Sequence, residues 1–293
     1  MNKERDKLVC VDAPAKINLY LHITGKRTDG LHELESLIVF AETCDVISFR
    51  PSKTLSLEIS GPQANQLKEQ DSKNIILKAV ESMSSLIDSN VDVGVEIHLQ
   101  KLLPIAAGIG GGSADAAATL RALKILWNVS LSDDQLMKLA YSLGSDVPVC
   151  ILGTSAYLAG VGEKVTPVES IPKIPLLLVN PKIPLPTSLV FNSWKGSNSK
   201  LNPLVSFSGS VSKLVAELRD RRNDLEAPAR SLVPKIDEVI CEIRSQPGCE
   251  LARMSGSGAT CFGIFLKQED LTIAASRIKM SHPNWWVMDT FSR

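Results

Sequence analysis

The stretch that decides the fold is Pro104-Ile-Ala-Ala-Gly-Ile-Gly-Gly-Gly-Ser-Ala-Asp115, in which four glycines fall within five residues. Glycine allows a backbone to turn its N–H groups inward without a Cβ clash, and a helix that starts behind such a loop adds positive electrostatic potential. The stretch therefore predicts a strand-to-helix loop that binds a polyphosphate. A flexible loop without a ligand is the alternative interpretation.

Two common phosphate-binding motifs do not fit this stretch. No Gly-Lys-Ser/Thr follows the glycines, which excludes a Walker A loop, and Ser113 stands where the last glycine of GxGxxG is required. Because Ser113 ends the loop, its hydroxyl is a candidate ligand for a magnesium ion or a phosphate. The N-cap of the following helix explains this serine almost as well.

The sequence on either side of the loop predicts strands before it and a helix after it. Apolar and polar residues alternate around 19–23, 55–59 and 93–99, as they do in half-buried strands. Apolar residues then recur at helical spacing from 116 to 127. Asp115 is placed to favour the positive end of this helix's dipole.

A second helix is predicted from Ser132, its cap, to Gly144, which ends it. Residues 149–160 are predicted to form one or two strands, and six prolines between 167 and 186 are expected to break any regular element. We therefore place a domain boundary in this proline-rich stretch. The predicted domains are 1–170 and 171–293.

The C-terminal half alternates polar and helical segments. The polar stretch 192–212 is predicted to be a mobile loop, and helices are predicted around 214–218 and 232–243. A second glycine-rich turn at 254–260 then leads into a strand at 261–265. Such a turn either shapes a substrate or phosphate site with its N–H groups or is a simple β-turn.

Composition excludes several function classes. The chain has 293 residues, of which 44% are hydrophobic, as in an ordinary globular protein of about two domains. Lys plus Arg and Asp plus Glu are both 32, so a nucleic-acid partner is not expected. The six cysteines show no metal or redox spacing, and no long apolar run predicts a membrane span. We expect a cytoplasmic protein that binds a small molecule.

Two further segments contain residue types that phosphoryl transfer requires. They are Pro14-Ala-Lys16-Ile-Asn18-Leu and Gly144-Ser-Asp146-Val-Pro148. Transfer to an alcohol needs a group that orients the hydroxyl and finally accepts its proton, together with a cation near the developing charge. On the residues alone both are ordinary, since an aspartate after a helix is usually a cap and a lone lysine is usually solvated.

Together these segments resemble the GHMP kinase superfamily. The matching motifs are PAKINL at 14–19, PIAAGIGGGSADAA at 104–117 and MSGSGATCF at 254–262. TDGLHE at 28–33 and NDLE at 223–226 resemble, within it, the family of 4-diphosphocytidyl-2-C-methyl-D-erythritol kinases. The resemblance spans nearly the whole chain.

The resemblance implies an α+β, two-domain GHMP kinase fold. Its N-terminal domain would resemble domain 2 of ribosomal protein S5, its C-terminal domain would be ferredoxin-like, and the active site would lie in the cleft between them. The implied reaction is ATP-dependent phosphorylation, with Mg²⁺, of the 2-hydroxyl of 4-diphosphocytidyl-2-C-methyl-D-erythritol in the non-mevalonate (methylerythritol phosphate) route to isoprenoid precursors. The enzyme would be a monomer or a homodimer.

Two other functions stay open. Another GHMP kinase that acts on mevalonate-type, homoserine or sugar alcohols would share the loop, but residues 29–33 argue against it. A non-catalytic ligand-binding protein of the same fold is the second alternative, and retention of both Lys16 and Asp146 argues against it.

The resemblance also implies roles for individual residues. Lys16 and Asp146 would be the catalytic pair. The residues expected to bind ATP are Pro104, Ile105, Ala106, Ala107, Gly108, Ile109, Gly110, Gly111, Gly112, Ser113, Ala114 and, near the adenine, Asn74. The residues expected to bind the substrate are His32 and Phe191 at the cytosine, Asn18 and Thr187 at the polyol and phosphates, and Gly256 and Gly258.

The chain departs from the family pattern at two places. Leu31 stands where the family usually has a tyrosine, so one wall of the aromatic clamp on the base is aliphatic, and stacking on cytosine is expected to weaken. Ala106 and Ala107 stand where the loop usually has glycine, and we expect negative φ at both.

Overall fold

The computed structural model describes residues 8–68, 74–87 and 94–293. In chain order, the strands are β1 (Val9–Lys26), β2 (His32–Pro51), β3 (Ser56–Ser60), β4 (Val95–Gln100), β5 (Ala156–Gly160), β6 (Lys164–Pro167), β7 (Pro175–Asn180), β8 (Cys249–Met254), β9 (Cys261–Phe265) and β10 (Trp286–Phe291). The helices are α1 (Ala64–Lys68), α2 (Ile75–Ser84), α3 (Gly111–Leu126), α4 (Asp133–Leu143), α5 (Val147–Leu152), α6 (Thr187–Ser193), α7 (Val211–Arg219), α8 (Glu226–Leu232), α9 (Lys235–Arg244) and α10 (Gln268–Ser281).

The chain divides into two compact units that interleave along the sequence. The first comprises Met1–Ala15, Cys44–Ile105 and Gly111–Gly153, and the second comprises Lys16–Thr43, Ala106–Gly110 and Thr154–Arg293. The long strands β1 and β2 each contribute residues to both units. The boundary at residue 170 stays a prediction, because the units are defined by contacts and not by consecutive segments.

The first unit contains the strands β3 and β4, the C-terminal end of β2 and the helices α1 to α5. Within it, β4 pairs antiparallel with the C-terminal end of β2 and parallel with β3. Helix α3 packs against α2 and α5, and the small side chains of Ala114, Ala116, Ala117 and Ala118 are fully buried along it. Alanine allows neighbouring helices to approach closely, so this run fixes α3 firmly within the unit.

The second unit contains an antiparallel sheet in the order β10-β7-β9-β8. Helices α9 and α10 pack against it, and its apolar core includes Leu177, Val179, Ile236, Ile240 and Phe265. The same unit holds the N-terminal half of β2, which pairs with β5, and β5 in turn pairs with β6. The predicted strand at 261–265 is confirmed as β9.

Most of the predicted elements are confirmed. The strands around 19–23, 55–59 and 261–265 are present, and β4 covers 95–99 of the third predicted strand, whereas residue 93 lies outside the described residues. The predicted helices correspond to α3, α4, α7 and α9. Ser132 caps α4 in a capping box with Gln135, as its position predicted. The stretch between α6 and α7 has no regular element.

Two predicted elements were wrong. The N-terminal part of 149–160 lies in the helix α5, because Pro148 occupies its first turn, where a missing N–H is harmless. The proline-rich stretch contains the strand β7, because Pro175 is its first residue and the next five residues keep their N–H groups. In the described part of the chain, no helix combines the length and apolar character needed to cross a bilayer.

Candidate functional site

In the glycine-rich loop at 106–110, the backbone angle φ alternates between positive and negative values. Ala106, Gly108 and Gly110 have φ of +49°, +71° and +63°, whereas Ala107 and Ile109 do not have positive φ. Alternation of this kind turns successive N–H groups toward one concave side and forms a nest for anions. The expectation of a negative φ at Ala106 was wrong. Its carbonyl accepts a hydrogen bond from Leu185 N at 3.3 Å, and this tertiary contact favours the left-handed conformation.

Four consecutive carbonyl groups of the loop accept hydrogen bonds from other segments of the second unit. The pairs are Leu185 N to Ala106 O at 3.3 Å, Thr260 N to Ala107 O at 3.0 Å, Ser255 Oγ to Gly108 O at 3.2 Å and Lys16 N to Ile109 O at 2.8 Å. The C=O and N–H of one trans peptide point in opposite directions. The N–H groups of 107–110 therefore point away from these partners, and among the described residues none of them donates to a backbone carbonyl.

The second glycine turn packs directly on the first. A Cβ at Gly108 would lie 2.5 Å from the N of Gly258 and 2.6 Å from the O of Ser255, and a Cβ at Gly256 would lie 2.7 Å from the O of Gly108. Glycine is required on both sides because backbone meets backbone. The turn at 255–258 is closed by a hydrogen bond from Gly258 N to Ser255 O at 3.0 Å, as in a β-turn, and it also braces the loop through these backbone contacts.

The substitution Gly108→Ala is expected to raise KM for ATP at least about tenfold, because a left-handed alanine costs roughly 1–2 kcal/mol and its Cβ would also force the two turns apart. Gly30→Ala is the matched control: Gly30 has a φ of +87°, but nothing lies within 4 Å of its Cβ position. We expect Gly30→Ala to lower the stability of the chain through the same backbone strain but to leave KM for ATP unchanged. Equal values of KM for ATP in Gly108→Ala and Gly30→Ala would contradict the role of the turn at 255–258 in bracing the loop.

Helix α3 begins at Gly111, directly after the loop, in the first unit. Ser113 is its third residue, so the interpretation of Ser113 as an N-cap was wrong. Asp115, expected to favour the positive end of the helix dipole, lies beyond the first turn of α3, where it is buried and accepts a hydrogen bond from the Lys101 side chain. The N-terminus of α3 is thus open to an anion at Gly111–Ser113, where Gly112 is exposed.

A buried charged triad supports this end of the helix. The Nζ of Lys101 lies 2.6 Å from Oδ2 of Asp45 and 2.6 Å from Oδ2 of Asp115, and all three residues are buried. Asp45 Oδ1 also accepts the backbone N–H groups of residues 102 and 103. A Cβ at Gly111 would lie 3.5 Å from the ammonium, so the triad sits immediately beside the start of α3.

The pKa values of Lys101 and Asp115 are shifted within the triad. Burial alone lowers the pKa of Lys101, but the charges of Asp115 and Asp45 outweigh it, so the lysine pKa is raised and the ammonium persists. Burial raises the pKa of Asp115 to about 7, against the lowering effect of Lys101. Sequence reasoning missed this triad, since Lys101 directly follows a strand and gives no periodic signal of burial.

Lys16 and Asn18 lie on β1 in the second unit, next to the loop. Lys16 is 5% exposed, and a Cβ at Gly110 would lie 3.1 Å from its Cβ and 3.2 Å from its Cε, so its stem runs along the loop. Asn18 N donates to Ser255 Oγ at 3.1 Å, and its Nδ2 donates to Ser36 Oγ at 2.8 Å. The Oδ1 of Asn18 is buried and has no hydrogen-bond partner among the described residues, and it lies 3.2 Å from the position of a Cβ at Gly256.

Asp146 and Asn74 lie in the first unit. Asp146 precedes α5 at the N-cap position, but its side chain makes no capping hydrogen bond, so the capping interpretation does not account for it. Asn74 caps α2, where its Oδ1 accepts from Ile76 N at 2.9 Å. A Cβ at Gly112 would lie 3.8 Å from Ile75, so the start of α2 is next to the start of α3.

A cluster of rings lies at the predicted cytosine site of the second unit. The rings of His32 and Phe191 are stacked with centroids 5.5 Å apart, so the structure brings these two predicted residues together. On the same helix, Thr187 Oγ1 lies 2.9 Å from Ser257 Oγ of the second glycine turn. Burial lowers the pKa of His32, with a further lowering by Lys26, which favours a neutral imidazole. Trp194 joins this cluster and was missed, because a tryptophan in a polar stretch carries no periodic signal.

Comparison with known proteins adds independent findings. The family model for the GHMP kinases N terminal domain matches residues 74–154, and the model for the GHMP kinases C terminal matches residues 207–282. Proteins named 4-diphosphocytidyl-2-C-methyl-D-erythritol kinase from Paramagnetospirillum magneticum and Rhodospirillum rubrum are 46% and 45% identical to the chain. The matches cover 94% of this chain in both cases, with 96% of the first relative and 89% of the second.

Solved structures agree with these relatives. A crystal structure of 4-(cytidine 5'-diphospho)-2C-methyl-D-erythritol kinase superposes with a TM-score of 0.76 at 30% identity, over 97% of this chain and 100% of that chain. The mevalonate kinase of Methanococcus jannaschii superposes with a TM-score of 0.68 over 99% of each chain. Its identity is 14%, so this likeness shows the fold alone.

Proposed function

The chain belongs to the GHMP kinases and, within them, to the family of 4-diphosphocytidyl-2-C-methyl-D-erythritol kinases, and from this premise we propose that it transfers the γ-phosphoryl group of ATP to the 2-hydroxyl of that alcohol. The products are the 2-phosphate and ADP, in the methylerythritol phosphate route to isoprenoid precursors. The α+β, two-domain GHMP fold predicted from the resemblance is confirmed. The observation that carries the proposal is the anchored loop, whose N–H groups suit a polyphosphate.

The nucleotide is bound mainly by backbone. The N–H groups of 107–110 and of the start of α3 bind the phosphates. This binding requires no net positive charge on the protein, whose numbers of basic and acidic residues are equal. Asn74 borders the adenine. These contacts position the γ-phosphoryl group, and positioning supplies much of the catalysis in phosphoryl transfer.

Lys16 and Asp146 are the two catalytic residues. Asp146 orients the acceptor hydroxyl and takes its proton late, when the loose transition state has made that hydroxyl acidic. Lys16 stabilises the charge that develops on the transferred group, and its stem against Gly110 keeps it beside the loop. An ionised aspartate is a weak base in the ground state, so early removal of the proton is not required.

Magnesium binds this site together with the phosphates of the nucleotide. The described residues contain no cluster of three His, Cys, Asp or Glu side chains that could hold an ion. Mg²⁺ commonly binds substrate phosphates with one or two protein oxygens, and the Ser113 hydroxyl in the first turn of α3 can supply one. When bound, the ion neutralises phosphate charge.

The cytidyl end of the substrate binds the second unit. Phe191 offers a ring face for the base, and one ring nitrogen of His32 offers a hydrogen bond to its polar edge. The buried Oδ1 of Asn18 accepts from a hydroxyl of the polyol, while Thr187 and the glycine turn at 256–258 border the diphosphate.

The proposed function is tested by coupled measurement of ADP. Purified protein with ATP, Mg²⁺ and 4-diphosphocytidyl-2-C-methyl-D-erythritol is expected to form one ADP per phosphorylated alcohol, with the 2-phosphate identified by ³¹P spectroscopy. Mevalonate, homoserine and galactose are the control acceptors, and we expect kcat/KM to be at least about a hundredfold lower with each, since their lack of a cytidyl group leaves the base site empty. ADP formation with a control acceptor alone would reject the proposal.

A further inference from the structure

Trp194 is part of the ring cluster but has no role in the function proposed so far. Its indole lies edge-on to His32, with ring centroids 5.4 Å apart and an interplanar angle of 84°. His32 is thus held between two rings, since Phe191 stacks on it at 5.5 Å and 29°. Edge-to-face and offset stacked pairs are the favoured arrangements of aromatic rings, so the two contacts together fix the plane of the imidazole.

The indole itself is held in place by its surroundings. Trp194 follows the end of α6, its backbone N donates to Phe191 O at 3.2 Å, and its side chain packs on the apolar core of the second unit. Gly196 leaves room for the ring, because a Cβ there would lie 2.9 Å from the indole Nε1. Leu31, which precedes His32 in the sequence, is 51% exposed and has no ring that could restrain the imidazole.

We propose that Trp194 is a positioning residue for pyrimidine recognition, which holds the imidazole plane of His32 beside Phe191 so that one ring nitrogen faces the polar edge of the base. The inference rests on the proposed function, because it takes the cytidyl group as the ligand. A neutral imidazole has one donor and one acceptor nitrogen, and cytosine and uracil differ in that pattern at one edge. A fixed ring plane therefore gives selectivity between the two bases, which stacking alone does not give.

The test is calorimetric titration of the full chain with cytidine 5'-diphosphate and uridine 5'-diphosphate. Trp194→Ala is expected to weaken binding of cytidine 5'-diphosphate about tenfold. It is also expected to lower the ratio of the dissociation constant for uridine 5'-diphosphate to that for cytidine 5'-diphosphate, while KM for ATP stays unchanged. Trp194→Phe keeps an aromatic edge and is expected to preserve the ratio. Leu189→Ala is the matched control, since Leu189 lies on the same helix α6 and is 51% exposed.

Gly196→Ala provides a second variant that displaces the indole without removing it, and a loss of selectivity there supports the proposal even if Trp194→Ala does not fold. Unchanged selectivity in Trp194→Ala or in Gly196→Ala would overturn the inference, as would the absence of nucleotide binding by the unaltered chain. Binding that weakens equally for both nucleotides and for ATP would show a merely structural role. Failure of the unaltered chain to form ADP would reject the proposed function, yet the cytidine and uridine titrations would still decide the role of Trp194.

Discussion

Asp146→Ala is expected to lower kcat with the cytidyl alcohol by about a thousandfold or more, because proton transfer and orientation of the nucleophile are both lost. KM for ATP should change by less than about threefold, since the proposed phosphate site consists of backbone N–H groups and does not include this carboxylate. Far-ultraviolet circular dichroism of the variant checks that it keeps its fold. Single-turnover kinetics with saturating ATP measure the chemical step directly.

Asp134→Ala is the matched control for this prediction. Asp134 is an exposed aspartate in the first turn of α4, the helix that precedes the Asp146 segment, and its loss should leave kcat within about twofold. Asp146→Asn separates the two roles, because asparagine can orient the hydroxyl but cannot accept its proton. A kcat for Asp146→Ala above about a tenth of the original value would contradict the assignment.

Local chemistry explains why much of the fold could be predicted. The capping box at Ser132 and Gln135, the alternation in β4 and the glycine loop are signals that operate within a few residues, and tertiary packing reinforces them here. The left-handed glycines of the loop could be predicted for the same reason. Several glycines together at the start of a helix indicate a backbone that takes up left-handed conformations and approaches a ligand closely.

Tertiary contacts explain what the sequence did not reveal. Ala106 takes a positive φ because of a hydrogen bond from Leu185, which lies 79 positions away by residue number (185 − 106), and no local rule anticipates that. Lys101 is buried between carboxylates that come from distant segments, and Trp194 meets His32 across a still longer separation in the sequence. Such partners determine burial and orientation, whereas a single sequence shows only the residue types.

Lys101→Met is the substitution expected to destabilise the chain most. It leaves two buried carboxylates without their cation, and removal of one partner from a buried ionic group typically costs about 3–5 kcal/mol. The free energy of unfolding in urea, followed by far-ultraviolet circular dichroism, measures this loss. Lys138→Met is the matched control, since Lys138 is exposed on α4 in the same unit and should cost less than about 0.5 kcal/mol.

A triple variant with Asp45→Asn and Asp115→Asn added to Lys101→Met identifies the physical cause. If uncompensated charge is responsible, neutral amides should restore part of the lost stability, because asparagine at position 45 can still accept the N–H groups of residues 102 and 103. If the loss came from a cavity instead, the triple variant would be no more stable than Lys101→Met. Because the ammonium lies beside Gly111, a raised KM for ATP in a triple variant of recovered stability would show that the triad also sets the position of the start of α3, where we propose that the phosphates bind.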